Sequence, residues 1–196
     1  MTAIDLGGFD DKFAADADPW RTFTSHDEAV KRAAILHGLG PGPIGRVLEL
    51  ASGNGSNSVA IAPRALRLDA TEGTPEGTRL TAGALARWPR AQASVLALPA
   101  LPPRPVYDAI VVAEILYYLS PHVMASVARM ATTALRPGGC LILAHHKIDF
   151  YDFAQHARGI NRRFLDRSGS RWHARIVRST ARWEVVSARL ARPAVE

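Results

Sequence analysis

The sequence predicts an α/β fold: a mostly parallel sheet of seven strands, helices on both faces, and a C-terminal antiparallel hairpin. Three observations predict it. Strand-like runs alternate with helical patterns between Arg46 and Ala144, which argues for βα units and a parallel sheet. The run Tyr107–Ala113 is apolar almost throughout, as a strand covered on both faces should be. The runs His173–Arg178 and Trp183–Leu190 are joined by a short link, which favours a hairpin.

The bulk properties fit that class. The chain has 196 residues, is 47% hydrophobic and 21% charged, and carries a formal net charge of +6. Such a length suits a single domain, read here as an N-terminal segment and helix over residues 1–40 and a main domain over 41–196. No apolar run reaches the length of a membrane span. The N-terminus carries Asp5, Asp10, Asp11, Asp16 and Asp18 instead of a basic-then-apolar signal pattern, so a cytoplasmic protein is expected. The single cysteine, Cys140, lies in an apolar run and is expected as a buried thiol. Residues 158–192 hold ten arginines against Asp166 and Glu184. They are dispersed and lack interleaved aromatics, so nucleic acid is not an expected partner.

Taken in order, residues 1–24 read as a polar segment with bulky anchors at Phe9, Phe13, Trp20 and Phe23. Ser25-His26-Asp27-Glu28 fits a capping box, so a helix should run to Leu39 with Ala29, Ala33 and Leu36 on one face, before Gly40-Pro41-Gly42-Pro43 stops it. Strand one is Arg46–Leu50, and the helix after it is short because Pro63 ends it. Strand two is Leu66–Thr71. A helix then starts with Thr74 as cap and Pro75 at its first position. Strand three is Ala93–Leu96 and strand four Tyr107–Ala113. Ser120-Pro121 opens the next helix, which stops before Pro137-Gly138-Gly139. Strand five is Cys140–Ala144, and a helix is expected over Tyr151–Leu165.

Candidate site residues belong at the carboxyl ends of the strands, where an open α/β sheet has its crevice. After strand one comes Glu49-Leu50-Ala51-Ser52-Gly53-Asn54-Gly55, a strand–glycine turn–helix unit that brings backbone N–H groups to a ligand. A dinucleotide turn would need a third glycine at position 58, which is Ser58. After strand two, Glu72 and Gly73 follow Gly55 by 17 and 18 positions, near the spacing of an acid that accepts both ribose hydroxyls; Asp69 is the rival. No acid follows strand three, where Leu96 stands. Strand four ends in Glu114, with Tyr117 and Tyr118 close behind. An acid there should be partly desolvated, with its pKa raised toward a general-base value. Strand five ends in His145-His146, of which alternation points one into the crevice. No zinc-spaced ligand cluster accompanies them, and no metal is expected.

The glycine turn resembles the E/D-x-x-x-G-x-G turn of class I S-adenosylmethionine (SAM) methyltransferases. Asp16-Ala17-Asp18-Pro19-Trp20 with Ser25 and Glu28, Val47–Ser58, and Ala113-Glu114-Ile115-Leu116-Tyr117-Tyr118-Leu119 resemble the nodulation protein S family more narrowly. That resemblance implies a Rossmann-like class I methyltransferase fold and SAM as methyl donor, with S-adenosylhomocysteine (SAH) as its product. It implies donor binding by Glu49, Ala51, Gly53, Gly55, Glu72, Gly73, Leu96 and Trp20, and catalysis by Glu114, His146 and Tyr117. Where that family has a glycine, this chain has Ala51. It further implies an N-terminal segment that covers the site, and N-methylation of an amine on a small or oligosaccharide acceptor by a monomer or homodimer. Small-molecule O-methylation is the nearest alternative; a non-catalytic SAM-binding protein and an RNA methyltransferase are the others.

Overall fold

The computed structural model of the protein describes residues 3–191; Arg192 lies outside them. Seven strands form one sheet: β1 (Ile44–Leu50), β2 (Ala65–Glu72), β3 (Ala91–Val95), β4 (Tyr107–Ala113), β5 (Leu135–His146), β6 (Trp172–Ser179) and β7 (Trp183–Leu190). Their order is β3-β2-β1-β4-β5-β7-β6. β1 to β5 are parallel, and β7 runs antiparallel to both β5 and β6. The order reverses direction between β1 and β4, the switch point at which such sheets bind ligands.

Alternation along the central strands divides the core in two. Leu48 and Leu50 of β1, Ile110 and Val112 of β4, and Leu141 and Leu143 of β5 face one side. There they meet Met124, Val127 and Ala131 of α5 (Pro121–Ala134) and Phe164 of α6 (Ile160–Arg167). Val47, Val111 and Ile142 face the other side. They pack on Ala34, Ile35 and Leu39 of α2 (His26–Leu39), Ile61 of α3 (Ser58–Ile61) and Leu85 of α4 (Pro75–Leu85). Cys140 is buried in this second layer. Thr74 caps α4 by accepting from the N–H of Gly77, and Ser120 caps α5 by accepting from that of Val123.

Three local expectations are corrected. Residues 6–15 form a helix, α1 (Leu6–Ala15), although Gly7 and Gly8 each cost a helix about 1 kcal/mol relative to alanine. Asp5 offsets this by accepting from the N–H of Gly8 at 2.9 Å, and burial of Phe13 anchors the helix. α2 buries Lys31, Ala34, Ile35 and Gly38, while Ala29 and Ala33 are exposed; the Ser25 side chain makes no cap hydrogen bond. The stretch 151–159 is not helical. Its amides at Ala154 and Gln155 donate to the Tyr117 carbonyl, and Gly159 takes a left-handed φ of 74° before α6 begins.

Among the described residues, no helix is long and apolar enough to cross a membrane. The side chain of Trp183 on β7 is fully buried, and its indole N–H donates to Asp27 at the start of α2 at 2.9 Å. Trp183→Ala should therefore lower unfolding free energy by about 3–5 kcal/mol, measured by urea denaturation; a loss under about 1 kcal/mol would contradict the packing described.

Candidate functional site

The carboxyl ends of the parallel strands open into a cavity of about 670 Å³. The turn after β1 forms one wall. Ala51, Gly53 and Gly55 have φ of 54°, 60° and 85°, the left-handed region that costs a residue with a Cβ roughly 1–2 kcal/mol. Glu72, at the end of β2, holds this turn: its Oε2 accepts from the Gly53 N–H at 3.0 Å and its Oε1 from the Thr74 N–H at 3.1 Å. Burial pushes the Glu72 carboxyl up, against these hydrogen bonds. The Thr74 hydroxyl also donates to Oε1 at 3.3 Å; a carboxylate has lone pairs for about four bonds, so room remains for about one ligand hydroxyl without displacing Thr74.

Ala51, Gly53, Glu72, Gly73, Leu96, Trp20, Glu114, Tyr117 and His146 all line the cavity. Glu49 and Gly55, expected at the ligand, do not. Glu49 is buried behind the turn, where its Oε2 accepts from the Ser58 hydroxyl at 2.5 Å and burial pushes its carboxyl up to about 7. At Gly55 a Cβ would lie 3.1 Å from both the Ala84 Cβ and the Thr81 Cα of α4. Its lack of a side chain serves helix packing instead of ligand approach. Asp69, the rival to Glu72, accepts from the Tyr107 hydroxyl at 2.9 Å, away from the cavity.

The N-terminal segment covers the turn. Asn54 donates to the Ala17 carbonyl at 3.1 Å and to Asp18 Oδ1 at 2.9 Å. Asp18 also accepts from the N–H groups of Thr22 and Phe23. Burial opposes its charge, but the hydrogen bonds from Thr22, Phe23 and Asn54 outweigh burial and hold its carboxyl below the usual range. Trp20 packs edge-on against Phe13, with ring centres 5.4 Å apart. Phe9 meets Tyr118 edge-on at 4.9 Å. Across the mouth, the Ile4 N–H donates to the Asp152 carbonyl at 3.2 Å, and Lys12 pairs with the Asp152 carboxylate at 3.5 Å.

Glu114 occupies the opposite wall with a φ of 55°. Its Oε1 pairs with the Lys31 ammonium, which also binds Glu28 at 2.8 Å. Its Oε2 accepts from the Tyr117 hydroxyl and lies 2.9 Å from His146 Nδ1. The expected rise in its pKa is reversed. Burial pushes it up, but the Lys31 charge and His146 outweigh burial and hold the carboxyl well below the usual range. An ionised carboxylate only accepts hydrogen bonds. Nδ1 of His146 therefore carries the proton, and Nε2 is left as the acceptor. Burial and the Glu114 charge push the Tyr117 hydroxyl up, which keeps it a donor. His145 points to the other face. Its Nε2 accepts from the Leu116 N–H at 3.3 Å, its Nδ1 lies 2.8 Å from Asn161 Oδ1, and burial pushes it down to about 4.

The cavity is acidic and aromatic. Asp5, Glu28, Glu72, Glu114 and Asp152 line it against Lys12 and Lys31, and none of the described C-terminal arginines does. Phe9, Phe13 and Trp20 contribute ring faces from the N-terminal side, Phe150 and Phe153 from beyond β5. Carboxylates and ring faces both favour a cationic ligand. Among the described residues, no group of three or more His, Cys, Asp or Glu side chains could hold a metal ion. Lys31 and Asn54 were missed by the sequence reading. Lys31 had a signal, since it shares the 31/34/35/38 spacing of the apolar face of α2.

Residues 9–189 match the sequence model of the family described as Nodulation protein S (NodS). No curated protein matches the sequence. The fold is similar to that of the N-methyltransferase NodS from Bradyrhizobium japonicum WM9 in complex with SAH: TM-score 0.81, 20% identity, 94% of this chain and 97% of that one covered. It is also similar to DhpI in complex with SAH, with a TM-score of 0.74 at 17% identity over 95% of each chain. Phosphoethanolamine N-methyltransferase 1 of Haemonchus contortus, solved with phosphoethanolamine and SAH, gives a TM-score of 0.66 at 14% identity. That match covers 98% of this chain and 51% of the other.

Two outcomes are expected of the turn. Ala51→Gly removes a left-handed alanine and should stabilise the protein by about 0.5–1 kcal/mol, because the relieved penalty exceeds the added freedom of the unfolded chain; a thermal melt reads it, and destabilisation would contradict the strain. Glu49 binds its proton more tightly folded, at about 7, than at its ordinary value of 4.5. Its stabilising contribution is therefore full at low pH and is lost as pH rises through that window. Relative to wild type, Glu49→Gln should gain stability across the window, on the order of 1 kcal/mol per pH unit. Urea unfolding at successive pH values checks the slope, and parallel profiles would refute it.

Proposed function

Because the chain belongs to the nodulation protein S family and is a SAM-dependent methyltransferase, we propose that it methylates the amino group of a small or saccharide acceptor. His146 takes the proton, while Glu114 holds its imidazole and Tyr117 in turn holds Glu114. The observation that carries this reading is the Glu114–His146 contact on the wall of an acid-lined cavity. Ala51, Gly53, Glu72, Gly73, Leu96 and Trp20 are the residues we assign to the donor. The open backbone at Gly53, where a Cβ would meet only Phe13 at 3.6 Å, and the carboxylate of Glu72 suit a ligand with a ribose diol and a cationic centre.

SAM, when bound, supplies a methyl group made electrophilic by a positive sulfur. The residues of the chain do the rest. The acidic wall attracts a protonated amine, and the aromatic cover excludes water. The amine attacks only as the free base. Nε2 of His146 would take the ammonium proton and so free the lone pair, which then forms the new nitrogen–carbon bond while the carbon–sulfur pair stays with sulfur and the methylated nitrogen leaves as an ammonium. Glu114, ionised, supports the imidazolium so formed. The same pair of side chains would deprotonate a hydroxyl, which keeps O-methylation as the second reading; the excess of carboxylates in the cavity favours the amine. In this reading residues 1–40 are a cap over a domain spanning 41–196, and the enzyme works in the cytoplasm as a monomer or homodimer.

His146→Gln should slow methyl transfer to an amino-sugar such as a deacetylated chitooligosaccharide by about 100-fold or more. Affinity for SAH, measured by calorimetry, should stay within a few-fold of wild type. Undiminished turnover in this variant would remove His146 from the reaction.

A further inference from the structure

We propose that Lys31 is a positioning residue of this site: its buried ammonium keeps the Glu114 carboxylate ionised and turned to His146 Nδ1, which leaves His146 Nε2 to take the acceptor's proton. The proposal rests on the His146 reading for its chemistry, although its geometry stands apart from it. Lys31 lies on α2, yet its side chain is only 4% exposed and reaches the wall of the cavity. A lysine so buried ordinarily loses its charge unless it is paired. Here burial pushes the amine down, but the carboxylates of Glu114 and Glu28 outweigh burial and hold it up. A lone carboxylate in this position would be driven to take up a proton. A protonated Glu114 would donate to His146 Nδ1 and leave the imidazole proton on Nε2, the atom that must accept.

Among the surrounding groups, Lys31 is the strongest influence that favours the charged carboxylate, ahead of His146. From α2 the site faces Lys31 and Glu28; from the turn after β4 it faces Tyr117 and Tyr118, whose hydroxyls burial pushes up. From β5 it faces His145 beside His146, and His145 is uncharged near neutrality, because burial pushes it down to about 4. Asp152, from the segment beyond β5, lines the same cavity and adds negative charge. Lys31 is therefore the cation in direct contact with the Glu114 carboxylate. The left-handed φ of Glu114, 55°, is a further sign that the contact is imposed, since a non-glycine residue keeps such a conformation only when its surroundings hold it there. Sequence alone hides this role, because a lysine on a helix is ordinarily a solvated one.

The test is a titration that needs no acceptor. The chain has seven histidines, and the imidazole signal of His146 is identified by its loss in His146→Gln. With SAH bound, the midpoint at which the Glu114–His146 pair takes up a proton is read by NMR in wild type, Lys31→Met and Glu28→Gln. Removing the cation should move that midpoint up by about half a pH unit or more. Removing the Glu28 carboxylate should move it down, because Lys31 is then shared with nothing else. Lys31→Arg should restore a near wild-type midpoint. Unchanged midpoints in both Lys31→Met and Glu28→Gln would overturn the proposal, and the second variant decides it should the first fail to fold. Failure of the catalytic reading looks different: His146→Gln would keep its turnover while the midpoints still move.

Discussion

The carboxylate of Glu114 fastens three separate elements to the end of β4. Lys31 reaches it from α2, Tyr117 from the turn that follows β4, and His146 from the end of β5. The backbone N–H of His146 also donates to it at 3.2 Å. Three of these contacts converge on Oε2 and one on Oε1, so the acceptor capacity of the carboxylate is taken up. Removing one partner from such a node leaves the others desolvated and unpaired, which costs more than the lost bond itself. The position of α2 over the sheet, the path of the chain after β4, and the orientation of His146 thus share a single anchor.

The far wall is built on the same principle with the charge reversed in role. Glu72 receives the Gly53 N–H of the glycine turn and the nearby Thr74 N–H instead of a side-chain cation. Glu49 lies deeper, with a serine hydroxyl as its partner and no cation in contact. The two walls shift their carboxyls in opposite directions for that reason. Burial dominates at Glu49 and Glu72 and raises them, whereas at Glu114 Lys31 and His146 together outweigh burial and lower it. Carboxylates within one chain are thereby pushed in opposite directions by their neighbours, as perturbed groups at functional sites often are.

The sheet was legible in the sequence because its signals are local. Tyr107–Ala113, the Gly53–Gly55 turn, the Thr74-Pro75 cap and the terminal hairpin were each read from a few adjacent residues, and all appear in the structure. The cover of the site was less legible. α1 has two glycines in its first turn and is held by Phe13 against the glycine turn, a contact between residues some forty positions apart. The segment 151–159 looked helical, but its amides are taken by the Tyr117 carbonyl and its Phe153 ring stacks on Tyr117 at 3.8 Å. Tertiary contacts override weak propensity in both places. The state of Glu114 failed for a related reason. Burial was foreseen from its place at the end of an apolar strand; the cation opposite it, 83 residues earlier in the chain, was not.

The charge of the cavity bears on which acceptor suits it. Five carboxylates against two ammonium groups leave the lining net negative before any ligand enters. A sulfonium donor satisfies part of that field and leaves room for a second positive group, which a protonated amine supplies and a neutral alcohol does not. In the proposed reaction the ammonium proton passes to His146 first, and the positive charge of sulfur then appears on the methylated nitrogen. It stays within the same ring of carboxylates at every stage, so the protein need not reorganise to follow it. An alcohol acceptor would start with one positive charge fewer and leave the acidic wall partly uncompensated. The charges of Glu28, Glu114 and Asp152 thus favour the proposed amine over an alcohol.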